Sequence, residues 1–165
     1  MNAIQQTKTI GKHLQRILPV VFFVLLLIVG WVLHDDYGGY TDEITHLKTG
    51  AIQYKMLLSL FMPQDQIPAI PIIDLQQLPP LEEYINRFYG EAAMLPTILI
   101  AAIPGVKFSD SAFLNFRRFY TFLNFFLAII SFYQLLRLRF VSSYIALLGS
   151  VMLVLSPRFF AESFY

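Results

Sequence analysis

The chain contains no cysteine, which excludes disulfide cross-links and thiolate metal sites and leaves the redox compartment unread. Charge is equally scarce. Asp, Glu, Lys and Arg make up 14% of the residues, against roughly 25% in a soluble domain. No run of lysines and arginines exists, and such a run is what neutralises nucleic-acid phosphates. Nucleic acid is therefore excluded as a partner. The formal net charge of +1 selects neither acidic nor basic partners, and the sequence holds no internal repeat and no low-complexity tract.

What is present is apolar. Hydrophobic residues reach 56% and aromatics 16%, with 16 phenylalanines, and the mean hydropathy is +0.58. Such a chain has lipid as its main solvent, because a charge near the bilayer centre costs about 2.5–3.5 kcal/mol. The expected fold class is all-α: polytopic transmembrane helices with an external loop that carries interfacial amphipathic helices. The length of 165 residues holds three or four spans and one sizeable loop. The chain closes on Ser163-Phe164-Tyr165 without a polar tail, so it reads as the front part of a larger protein.

Residues 1–16 carry Lys8, Lys12 and Arg16 and no acid. Residues 17–33 are then uninterruptedly apolar, roughly 25 Å as a helix, and end beside Trp31. Basic residues before the run and Asp35 and Asp36 after it place the N-terminus in the cytoplasm, with 34–90 external. A cleaved signal peptide is the competing reading, but no small-x-small site precedes His34. From Thr41, Ile44, Leu47, Ala51, Tyr54, Leu58 and Phe61 recur at spacings of three and four and predict a juxtamembrane helix over 41–62. Its apolar stripe would lie on the membrane, with Asp42, His46, Thr49 and Gln53 opposite. The proline-rich stretch 64–80 is expected to be irregular, and Pro80 opens a second short helix over 80–89.

Residues 91–106 form a short apolar segment broken by Pro96 and Pro104, of a length that suits an interfacial or re-entrant element. Residues 119–136 make a second span of roughly 27 Å, residues 141–157 a third, and 158–165 begin the next external segment. If 91–106 only dips into the bilayer, the external loop runs over 34–118 and Arg137 and Arg139 lie inside. If it spans, Lys107, Arg117 and Arg118 lie inside instead. Length and prolines favour the first arrangement, and flanking charge slightly favours the second.

The residues with chemical potential cluster after the first span. An acid in the first turn of a helix has its ionised form favoured by the helix N-terminus, which is the state a general base needs. Asp42 and Glu43 fit that role, and equally fit an N-cap and a dipole partner. His46, one turn from Asp42, can share a hydrogen bond or a metal with it, or simply be solvated. Arg117, Arg118 and Arg158 each adjoin an apolar run, where they can bind a lipid phosphate or snorkel to the interface.

Four segments together resemble a known family: Tyr-Thr-Asp-Glu-Ile-Thr-His at 40–46, Arg-Phe-Tyr-Gly at 87–90, Asn-Phe-Arg-Arg at 115–118, and Leu-Ser-Pro-Arg-Phe-Phe-Ala-Glu-Ser-Phe-Tyr at 155–165. They are similar to the C-type membrane glycosyltransferases, in particular a bacterial branch related to the protein O-mannosyltransferases (glycosyltransferase family 39). The resemblance implies transfer of a sugar from a polyprenyl-phosphate donor to an acceptor hydroxyl with inversion. It implies Asp42 as the base and Glu43 as its support. His46, Arg118 and Arg158 would contact substrate, with Arg158 at the external mouth beside the leaving phosphate. The expected partners are membrane lipid and the polyprenyl-phosphate-linked sugar. No cofactor is implied, and metal dependence stays open. Relatives continue through more spans and carry a further external acid, so the chain is expected to be an N-terminal portion of such an enzyme. The alternative is a non-catalytic membrane assembly or transporter-type protein, in which the external helix docks a partner and Asp42 is a cap.

Overall fold

The computed structural model describes residues 3–37, 43–70, 73–88, 94–103 and 110–165. Six α-helices follow one another among them: α1 (Ala3–Leu33), α2 (Glu43–Ser59), α3 (Leu95–Ala101), α4 (Asp110–Phe140), α5 (Ser143–Val154) and α6 (Pro157–Glu162). Single 3-10 turns sit at Gln64–Gln66 and Leu81–Glu83, and the described residues contain no strand. The helix expected from Pro80 is thus one turn. Tyr84 follows in extended conformation, and so the helical hydrogen-bond ladder has no second turn.

Among the described residues, two helices are long and apolar enough to cross a membrane, over His13–Leu33 and Ser111–Phe140. Only 17% and 11% of their most apolar windows are buried, so their own fold does not enclose them as it would enclose core helices. The third expected span takes the form of α5, which stops before Ser156, followed by α6 with Pro157 in its first turn. Proline lacks the N–H that would have continued α5 and suits a helix start. Pro19, by contrast, lies inside α1. Helix α4 ends at Val141, whose φ of 57° is the left-handed C-terminal geometry usually given to glycine.

The chain divides into two compact units. The first comprises residues 1–37 and 121–164. Close helix approach depends here on small residues: a methyl group at Gly30 would overlap the Phe122 ring, and one at Gly149 would lie 2.6 Å from Leu136 Cδ1. Phe23 meets Phe126 and Tyr133 edge-on at 6.0 and 5.6 Å. Phe164 lies between Tyr37 and Phe122, with ring centroids 4.2 and 5.2 Å away.

The second unit comprises residues 38–120 and Tyr165. Its core gathers Ala51, Tyr54, Ile70, Met94, Ile98 and Phe113. The predicted stripe of α2 is only half realised. Ala51 and Tyr54 are buried and Leu47 and Leu58 pack against them, but Ile44 and Phe61 are 63% and 78% exposed. Thr49, expected on the polar face, is buried and hydrogen-bonded to the Tyr84 hydroxyl at 3.1 Å. The reason is that α2 is covered on more than one side. Helix α3 packs against it closely enough that a methyl at Gly50 would lie 2.8 Å from Ile98 Cδ1. The proline-rich stretch also folds back onto α2. Lys55 Nζ donates to the carbonyls of Leu75 and Leu78 at 3.0 and 3.4 Å, and the Tyr54 hydroxyl donates to that of Pro68 at 3.2 Å.

Candidate functional site

In a chain this poor in charge, the second unit buries three charged side chains together. Glu43 opens α2 as its first residue, while Arg117 and Arg118 are consecutive on α4. Their exposures are 4%, 1% and 6%. Arg118 approaches side-on: Nε donates to Glu43 Oε1 at 3.3 Å and Nη2 to Oε2 at 3.0 Å. This is the planar two-point fit of guanidinium to carboxylate. Arg117 Nη2 donates to Oε1, and Arg117 Nη1 lies 3.8 Å from Met94 Sδ. The remaining Arg118 nitrogen, Nη1, donates to Asn115 Oδ1 at 3.3 Å, one turn earlier on α4.

The electrostatics follow from this geometry. Burial alone would raise the Glu43 carboxyl. The hydrogen bonds and positive charges of Arg118 and Arg117 outweigh burial and hold it below its ordinary value. Glu43 is therefore a fixed anion with both oxygens engaged. It can orient its neighbours in sequence, but it is poorly disposed to accept a substrate proton.

Of the expected site residues, the structure brings together Glu43 and Arg118. Asp42 lies outside the described residues. It precedes Glu43 by one peptide bond, so the ion cluster fixes the backbone that immediately follows it. His46 is half-buried on α2, a turn beyond Glu43. Arg158 belongs to the first unit and is exposed on α6. Pro157 and Phe160, on either side of it in α6, help line an apolar slot of about 360 Å³ completed by Phe22, Leu26, Val29 and Val154. The described residues bring no three His, Cys, Asp or Glu side chains into metal-binding proximity.

Sequence reasoning placed Arg117 and Arg118 at a lipid interface and missed their pairing with Glu43. One signal was available. A first-turn acid and an arginine pair that both adjoin apolar runs have few other charges to meet. Met94 and Asn115 carried no such signal. Compared with known proteins, the chain matches no family model, no curated protein and no solved structure.

Proposed function

We propose that this chain serves in an integral-membrane glycosyltransferase that moves a sugar from a polyprenyl-phosphate donor to an acceptor hydroxyl with inversion. The observation that carries the reading is the buried Glu43 held by Arg117 and Arg118. It fixes the start of α2 at the point where the resemblance puts an acid pair. Asp42 is the general base: it removes the acceptor proton as oxygen attacks the anomeric carbon and the lipid phosphate departs. Glu43 is a positioning residue, and Arg118 holds it. Both of the nearer Arg118 nitrogens are taken up by Glu43, and the leaving phosphate keeps the contact that the resemblance gives it, Arg158. Arg158 is exposed on α6, and its sequence neighbours Pro157 and Phe160 help line an apolar slot of a character that suits a prenyl chain; His46 is a substrate contact by the same resemblance. The membrane is crossed by more than one span, with α2 on the external face of the inner membrane.

A second reading has its own support. Both Glu43 oxygens are engaged, as in a clamp that only staples α2 to α4. The chain is then a non-catalytic assembly or transporter-type protein. The two readings separate on one assay. Membranes carrying the natural gene product are supplied with a radiolabelled polyprenyl-phosphate hexose, and the release of free polyprenyl phosphate is followed. Release above that of membranes lacking the gene supports the enzyme; equal release in both leaves the clamp reading.

A further inference from the structure

We propose that the turn Ile85–Phe88 is a membrane-surface anchor, which sinks Ile85 and Phe88 into the headgroup–acyl boundary and sets Arg87 on a phospholipid phosphate. The inference rests on the chain being membrane-bound and not on its catalysing anything.

The second unit can bury apolar side chains, as its core around Tyr54, Ile98 and Phe113 demonstrates. Yet Ile85 and Phe88 are each 84% exposed. The turn that presents them is well held. The Arg87 backbone N–H donates to the Tyr84 carbonyl at 3.1 Å, and Tyr84 is tied to α2 through its hydroxyl contact with Thr49. Arg87 Nη1 donates to the Glu82 carbonyl at 2.8 Å, and its guanidinium lies 4.8 Å from the centre of the Phe88 ring. Cation and aromatic ring thus form one preorganised face, and little conformational freedom remains to be lost on docking.

A bilayer interface is the environment that this face fits. Aromatic side chains settle at the headgroup level, while arginine keeps its charge among the phosphates and buries its stem. A water-facing turn gains nothing from two large apolar side chains placed beside one fixed cation. Glu82 and Glu83, exposed on the preceding 3-10 turn, set the depth, since two carboxylates resist entry past the headgroups. Chain continuity supplies the tether: the first turns of α4 belong to this same unit, and the helix continues into a stretch of span length.

The test uses the full chain in phospholipid vesicles. The sole tryptophan, Trp31, is replaced (Trp31→Phe), and a reporter is placed by Phe88→Trp. Emission is then challenged with phospholipid brominated high on its acyl chains, and separately with aqueous iodide. An indole at the interfacial depth of about 5–10 Å should lose at least about half its emission to the brominated lipid and little to iodide. A control reporter, Gln76→Trp, at an exposed site in the proline-rich stretch, should show the reverse. Quenching of the Phe88→Trp reporter by iodide alone would place the turn in water, and protection from both quenchers would place it against protein. Either result overturns the proposal. If Phe88→Trp fails to fold, Ile85→Trp is read in the same way.

Discussion

Arg118 grips Glu43 at two points, Nε on one carboxylate oxygen at 3.3 Å and Nη2 on the other at 3.0 Å. The two residues are 75 positions apart in sequence, and they lock the start of α2 to α4 inside the second unit. Removing one partner of a buried ion pair strands the other charge, at a cost of about 3–5 kcal/mol. Glu43→Gln takes the carboxylate from the Arg118 fork and should therefore lower the stability of the second unit by about 3–5 kcal/mol, read as a drop in thermal midpoint in detergent. Arg118→Lys, which keeps the charge and loses the fork, should cost clearly less.

The same cluster sets an acid limit. A carboxyl held below its unfolded value stabilises the fold fully above that unfolded value, and the contribution is lost as pH falls through the folded one. The Glu43 carboxyl is held below its ordinary value of 4.5. Thermal stability should thus be insensitive to this group above pH 4.5 and decline below it. The Glu43→Gln variant should lack this part of the acid decline, which parallel thermal scans of variant and parent across the acid range will detect.

The α2 stripe makes a graded prediction. Tyr54 is 1% exposed, whereas Ile44, from the same predicted stripe, is 63% exposed. Tyr54→Ala should cost about 3–5 kcal/mol, the range for truncating a buried aromatic. Ile44→Ala should stay within about 0.5 kcal/mol, as surface substitutions do. Denaturant titration followed by circular dichroism distinguishes the two.

In the first unit, glycine substitutions should diverge by position on a single helix. Gly11 has nothing within 4 Å of an added methyl group, so Gly11→Ala should stabilise α1 by up to about 1 kcal/mol through helix propensity. At Gly30 the methyl would overlap the Phe122 ring, which is fully buried and stacked on Phe164 and so has little room to move. Gly30→Ala should destabilise by about 1–3 kcal/mol, the usual cost of overpacking. Thermal midpoints of the two variants should move in opposite directions.

Much of this architecture could be read from one-dimensional signals. The apolar runs at 17–33 and 119–136 became the long helices α1 and α4, because length and hydropathy need no knowledge of neighbours. Both helices extend beyond those runs into polar sequence, where hydropathy gives no boundary. The spacing from Leu47 to Leu58 found the core-facing side of α2. It could not show that α3 and the returning proline-rich stretch bury Thr49 as well, because tertiary cover has no period. Glu43 and Arg118 were both legible as chemically charged positions. Their pairing was not, since contacts across so long a separation leave no local pattern, and the arginines were read as lipid-facing.

The central claim concerns Asp42, and one substitution tests it most directly. Asp42→Asn keeps size and hydrogen-bonding shape and removes proton-accepting power, and asparagine is itself a good helix cap. In membranes carrying the natural gene product with this single change, polyprenyl-phosphate release should fall by about 10²–10⁴-fold, the usual contribution of a general base. Thermal stability and donor binding should stay near those of the parent. Turnover within about threefold of the parent, well short of what loss of a base costs, in a well-folded variant would contradict the account and leave Asp42 as a cap.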